Sequence, residues 1–314
     1  MYRRFIKLVF MIVLIVPASG WSAPAAGTET AEAQRFASPE EAAKALIEAT
    51  RANDMNRLTA IFGGHSDLLS SGDAVADKNV RDAFVALADQ KVGFEKSGDR
   101  QTILQVGPEN WPFPIPIVSD GGGWMFDAEQ GKEEIINRRI GRNELSVLEV
   151  MTTYVEAQAE YANVDRNGNG VSEYAQKIRS TPGQFDGLFW EASAAGPSPL
   201  GPLVAEARGE GYSVEQSDKP TPYHGYYYRI LTRQGSEAPG GKYDYIINGN
   251  MIAGFGLVAF PAEYGSSGIM SFIVNHQGKI HEKDLGPETA SIAGAMEEYN
   301  PDSTWELVDT GTQD

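Results

Sequence analysis

Cysteine is absent from this chain. That excludes disulfides, thiolate metal sites, thiol nucleophiles and lipid attachment through a cysteine, so stability in an oxidising compartment must come from a packed core, hydrogen bonds and bound ions. Histidine is nearly as scarce. His65, His224, His276 and His281 are the whole set, and no H-E-x-x-H places two of them on one helix face. Positive charge is in short supply too: 26 Lys and Arg stand against 43 Asp and Glu, for a formal net charge of −17. Such a chain offers no basic face to a phosphate backbone or an anionic lipid surface, which argues against nucleic acid and membrane surfaces as partners. Long apolar runs are missing apart from Leu8–Val16, too short for a comfortable membrane span.

That one run belongs to a recognisable leader. Arg3, Arg4 and Lys7 precede it, Pro17 breaks it, and Ala23-Pro24-Ala25 follows as an A-x-A cleavage site. The layout predicts a signal peptide over residues 1–25, export to the periplasm or beyond, and no membrane span after processing. Residues 26–36 are small and polar and read as a disordered spacer.

The remaining chain is long enough for two cores, and its pattern changes once. Ser38-Pro39-Glu40-Glu41 is a helix start with cap, proline and capping-box glutamate. Met55–Phe62 and Asp77–Gln90 continue the helical periodicity. Strands follow from Val92, with Gly121-Gly122-Gly123 as a hairpin turn before Trp124. Residues 36–132 therefore read as a small α+β domain, whose helix-then-curved-sheet order is similar to the cone shared by nuclear transport factor 2 and polyketide-cyclase-like proteins. Lys132–Asn163 is the longest helical stretch, with Leu145, Leu148, Met151, Val155 and Ala159 as its expected apolar face and Glu144 pointing away. Aromatic strands fill the rest, from Tyr226 to Lys283. Residues 140–312 read as a second α+β domain, a long helix followed by an antiparallel meander.

Between helix and strands lies the most informative run, Asp165-Arg166-Asn167-Gly168-Asn169-Gly170-Val171-Ser172-Glu173. Oxygen side chains alternate, and Gly170 stands where a cation-wrapping loop turns. This is the opening of a calcium loop of the D-x-[DN]-x-[DN]-G kind. Asp165, Asn167, Asn169 and Glu173 are the expected side-chain ligands and Val171 the carbonyl ligand, with Asp186 available from outside. Gln176 stands where an EF-hand has its bidentate glutamate, so the loop is not a standard EF-hand. An Asx-rich turn capping the helix is the competing reading.

Other signals are weaker. His276 and His281 flank the Gln277-Gly278 turn and could face each other on a hairpin, although histidines of the surface or of a polar network are the plainer reading. Gly265-Ser266-Ser267-Gly268 lacks the register of a nucleophile elbow. Tyr223, Tyr226, Tyr227, Tyr228, Tyr243 and Tyr245 form either a stacking platform for a glycan or peptide, or a core ladder.

Five strings together carry a resemblance: Trp111-Pro112-Phe113-Pro114-Ile115-Pro116, Arg138-Arg139-Ile140-Gly141-Arg142-Asn143-Glu144, Ser180-Thr181-Pro182-Gly183, Tyr223-His224-Gly225-Tyr226-Tyr227 and Phe260-Pro261-Ala262-Glu263-Tyr264-Gly265. The chain resembles, over nearly its whole mature length, an exported bacterial family known as domain-of-unknown-function family 2950. The resemblance implies no catalytic residue. The C-terminal half, with Ala157–Tyr161, the Asp/Asn loop and Glu173-Tyr174, is similar to the globular part of type IV pilins and pseudopilins. The sequence thus points to an acidic envelope protein that binds or scaffolds, with an unknown envelope protein or a glycan as partner and calcium as the expected ion. The alternative is a periplasmic hydrolase using carboxylates or the His276/His281 hairpin.

Overall fold

The computed structural model describes residues 32–191, 196–213 and 220–309. The expected signal peptide, and the spacer up to residue 31, lie outside the described residues.

The described residues fall in one compact unit that is mixed α+β. It opens with helices α1 (Pro39–Arg51), α2 (Met55–Ile61) and α3 (Ala74–Gln90). Caps fix each start. Ser38 Oγ accepts from Glu41 N at 3.2 Å while Glu41 Oε2 reaches back to Ala37 N, so the capping box closes one residue further out than its usual form. Asp54 and Asp73 cap the next two helices. An antiparallel sheet follows, of β1 (Val92–Lys96), β2 (Gln101–Val106), β3 (Trp111–Pro112), β4 (Ile117–Ser119) and β5 (Trp124–Phe126). The proline-bearing β3 is a two-residue edge piece on β2, the place in a sheet where Pro112, which has no N–H, is tolerated. Ala42, Leu46, Ile61, Leu104, Ile115, Ile117 and Phe126 pack between these helices and this sheet.

Helix α4 (Ala128–Ala162) runs 35 residues. Its first turns meet the first core through Ala128 and Ile135. Its later turns bury Val147, Met151, Tyr154, Ala157 and Tyr161 in a second core. The inward stripe therefore differs from the expected one: Leu145 is 66% exposed, Ala159 is exposed, and two polar residues, Asn143 and Gln158, are buried instead.

Helix α5 (Gly201–Gly209) leads to strands β6 (Tyr226–Leu231), β7 (Arg233–Gln234), β8 (Tyr243–Asp244), β9 (Ile246–Ile247), β10 (Asn250–Met251), β11 (Gly256–Pro261), β12 (Met270–Asn275) and β13 (His281–Asp284). Helix α6 (Thr289–Ala295) and the short strands β14 (Glu298–Tyr299) and β15 (Glu306–Leu307) close the chain. The main sheet has the order β15-β13-β12-β11-β6 and is antiparallel throughout. Strand alternation divides its side chains between two cores. Tyr226, Leu257, Ala259, Phe272 and Val274 join the core of α4. Leu231, Val258 and Ile273 join Ala293 and Tyr299 on the other side. Among the described residues no strand of the first sheet pairs with a strand beyond α4. No described helix is long and apolar enough to cross a membrane.

Candidate functional site

The loop after α4 is built from successive Asx turns. Asp165 Oδ1 accepts from Gly168 N and Asp165 Oδ2 from Gly170 N, both at 2.8 Å. Asn167 Oδ1 accepts from Asn169 N at 3.1 Å, and Asn169 Oδ1 from Val171 N at 2.8 Å. Gly168 and Gly170 have φ of +74° and +84°, a region where a Cβ would be strained. Glycines at these two places let the chain coil tightly around its own side chains.

Glu173 is the loop's buried carboxylate, 9% exposed. Its Oε1 accepts from Asn167 Nδ2 at 2.5 Å and lies 3.5 Å from Asn169 Nδ2. Its Oε2 accepts from Met251 N at 3.1 Å. Asn169 Nδ2 also donates to Asn250 Oδ1 at 2.9 Å. Three of the four expected side chains, Asn167, Asn169 and Glu173, therefore converge. Asp165 organises the loop through backbone amides. The β9–β10 hairpin, turned by Asn248 and Gly249 with φ of +52° and +86°, is tied to the same carboxylate.

The loop is anchored at both ends. Arg166 lies over the rings of Tyr161 and Trp190, 5.5 and 5.2 Å from their centroids. Tyr161 Oη donates to Phe185 O at 2.6 Å, and burial pushes its pKa up to about 12. Gln158, fully buried, accepts from Ala175 N at 2.8 Å and donates to Ala175 O and Tyr154 Oη at 2.9 Å.

Several expectations are corrected here. Asp186 does not reach the loop. It holds Lys177 and Thr181; burial pushes its pKa up, but these partners outweigh that and keep it low. His276 and His281 do not face each other, because His281 pairs with Ile273 in the β12–β13 register. His276 packs against Tyr245 and Phe255, while His281 Nδ1 lies 3.2 Å from Tyr299 Oη. Burial lowers both pKa values. The tyrosine group is no such case: of its two readings, the structure favours the core ladder over the open platform, since Tyr226 and Tyr245 are fully buried. Glu144 does not point away but accepts from Ile269 N and Met270 N at 3.0 Å.

A second polar centre was not foreseen from the sequence. Asp73, 2% exposed, accepts four hydrogen bonds. Val75 N and Ala76 N give the N-cap of α3, while Tyr212 Oη at 2.8 Å and Gly225 N at 2.9 Å come from the far part of the chain. Burial, then the Asp73 charge, drive the Tyr212 pKa upward. Asn143 donates to Ser267 O at 2.8 Å beside Gly225, and Arg139 reaches Leu68 O, Ser70 O and Ser266 Oγ. Three strings read from the sequence thus meet in space: α4 around Arg139–Glu144, the Tyr223–Tyr227 entry to β6, and the turn after Pro261, all against the start of α3. This centre is closely packed. A Cβ on Gly225 would lie 2.4 Å from Asn143 Nδ2. The cue was a helix N-cap at Asp73, four residues before the predicted start.

A cleft of about 360 Å³ lies between Arg233, Ile273, Met296, Glu297, Glu298 and Trp305. Its cation is already paired, because Arg233 sits against Glu297 and Glu298. Among the described residues no three of His, Asp or Glu are grouped so as to hold a metal by themselves.

The geometry defines an α+β protein with an Asx-wrapped loop and a closed polar junction. The family comparison is specific: the model for a protein of unknown function, DUF2950, matches residues 33–308. The chain belongs to that family. No curated protein and no solved structure matches it significantly.

Proposed function

We propose that this chain is an exported protein of the bacterial envelope that works by binding or scaffolding, and that calcium stabilises the Asp165–Glu173 loop. The observation that carries the ion is the convergence of Asn167 and Asn169 on the buried carboxylate of Glu173. Asp165 Oδ1 and Oδ2, Asn167 Oδ1, Asn169 Oδ1 and Glu173 Oε2 each spend one lone pair on a backbone N–H and keep another, while Glu173 Oε1 faces the two asparagine amides; carboxylate and amide oxygens are a donor set of the hard-cation kind. Asp165, Asn167, Asn169 and Glu173 would hold the ion, with the Val171 carbonyl. Calcium bound there supplies charge to cross-link the loop and, through Glu173 and Asn250, the β9–β10 hairpin. Two amides stand among the ligands, so the expected affinity is modest, roughly micromolar to millimolar.

Export is supported by the charged, apolar and small-residue order of Arg3–Ala25 alone. The order of long helix, Asp/Asn loop and antiparallel sheet supports the pilin-like reading of the second half. The helices followed by β1–β5 support the cone-like reading of the first. Binding is favoured over hydrolysis because His276 and His281 lie apart, each in an aromatic setting.

The test is thermal melting of the mature chain in chelator and in millimolar calcium. An ion held only by the folded state adds about 2.7 kcal/mol at a hundredfold excess over Kd. The wild type is expected to melt higher in calcium, and Asp165→Ala to melt alike in both. A wild type indifferent to calcium overturns the ion reading.

A further inference from the structure

The same loop carries two consecutive Asn-Gly pairs, Asn167-Gly168 and Asn169-Gly170. We propose that it is a self-modifying site at which Asn167 and Asn169 deamidate, assisted by Asp165.

The chemistry needs three things. The backbone nitrogen after the asparagine must be free of steric cover and polarised as a nucleophile. The side-chain carbonyl must be polarised as an electrophile. The amide must leave as ammonia. Glycine at both following positions removes the Cβ that shields the attacking nitrogen in other residues. Asp165 supplies the base. Its Oδ1 takes the Gly168 N–H and its Oδ2 the Gly170 N–H, each at 2.8 Å. The oxyanion site is supplied by the Asx turns. The Asn169 N–H holds Asn167 Oδ1 at 3.1 Å, and the Val171 N–H holds Asn169 Oδ1 at 2.8 Å. A positioned base and a backbone donor at the developing oxyanion are the two components that speed acyl transfer elsewhere. Here both occur twice around one carboxylate.

The step balances without any oxidant or reductant. Gly168 N attacks Asn167 Cγ and closes a five-membered succinimide; Asp165 takes the N–H proton, and the departing Nδ2, held by Glu173 Oε1 at 2.5 Å, gains its proton from water. The Cγ–Nδ2 bond breaks and ammonia leaves. Water then opens the ring, giving aspartate or isoaspartate. The same sequence applies to Asn169 with Gly170 N. The net change is asparagine plus water to an acid plus ammonia, and each event adds a carboxylate beside Glu173.

The molecule contains its own control. Asn248-Gly249 is a third Asn-Gly pair, set in the turn between β9 and β10. Among the described residues no carboxylate accepts from the Gly249 amide. Generic Asn-Gly lability predicts that Asn248 reacts at least as fast as the loop pairs. Assistance by Asp165 predicts the reverse.

The chemistry stands apart from the calcium reading; only its effect on affinity rests on that reading. The experiment is incubation of freshly purified mature chain at neutral pH, with peptide mapping by mass spectrometry for the NH2-to-OH mass gain and for isoaspartate. Asn167 or Asn169 is expected to convert faster than Asn248. Asp165→Asn is expected to slow the loop sites by about a hundredfold, the low end for a positioned base, and to leave Asn248 unchanged. Asn248 reacting as fast as both loop sites in the wild type, or loop rates unaltered in Asp165→Asn, overturns the proposal. Melting with and without calcium is measured on the same samples. A calcium shift without deamidation sinks this inference alone, and deamidation without a calcium shift sinks the ion reading alone.

Discussion

Asp73 is the residue on which the most distant segments depend. One carboxylate caps α3 and also holds Tyr212 Oη and Gly225 N. Removing it leaves two helix N–H groups, a buried tyrosine hydroxyl and a buried glycine N–H without their acceptor. Each unsatisfied group carries a desolvation cost, and the cap adds its own. Asp73→Ala is expected to lower stability by about 3 kcal/mol or more in urea unfolding. A loss no greater than that of an ordinary cap would show that Tyr212 and Gly225 find other acceptors. Gly225 illustrates the same closeness from the backbone side, with φ of +75° and no room for a Cβ.

At the scale of elements, Gln158 fastens the candidate loop to α4. It satisfies both backbone groups of Ala175 from inside a helix face where apolar residues are the rule. Gln158→Leu keeps the volume but orphans a buried N–H and C=O, at an expected cost of about 3 kcal/mol. The same variant should weaken any calcium-dependent melting shift, because Glu173 lies two residues before Ala175. If the shift survives intact, the loop is held by Glu173 and Arg166 alone.

These two residues also mark where sequence reading stopped. The α1 start was legible because Ser38, Pro39 and Glu41 lie within four consecutive residues and their hydrogen bonds close locally. The oxygen-and-glycine alternation of Asp165–Glu173 was legible for the same reason. The inward face of α4 was not, because an apolar-only stripe omits Asn143 and Gln158. Their burial is permitted by Ser267 and Ala175, and Ser267 lies 124 positions away. The histidine hairpin was misjudged by register: pairing His281 with Ile273 leaves His276 beyond the end of the ladder.

For the whole molecule, acidity of the medium is the sensitive variable. His276 and His281 are both held below their ordinary range by burial. In the unfolded chain they bind protons near pH 6.5, so between that value and their lowered folded values the unfolded state carries more protons. Stability from this source is complete above about pH 6.5 and is lost as pH falls through the folded values. Melting temperature should drop from pH 7 to pH 5, and His276→Phe should blunt the drop. His276 is the better probe because its Nδ1 is buried with no hydrogen-bond partner, so the substitution removes no bond there. An unchanged acid limb in that variant would assign the sensitivity elsewhere.

Helix α4 has a consequence for the order in which the chain is made. Its 35 residues rise about 52 Å, and its two ends answer to partners on opposite sides of it in the sequence. The strands that cover its first turns, up to Phe126, have already been synthesised when it emerges. Those that cover Val147–Tyr161 begin only at Tyr226. Over the roughly sixty residues in between, the inner side of its second half meets only the irregular segment that carries Ala175, Leu188–Trp190 and Leu200, at synthesis speeds of about 5–20 residues per second. A nascent chain stopped in that interval would be the form most in need of a chaperone.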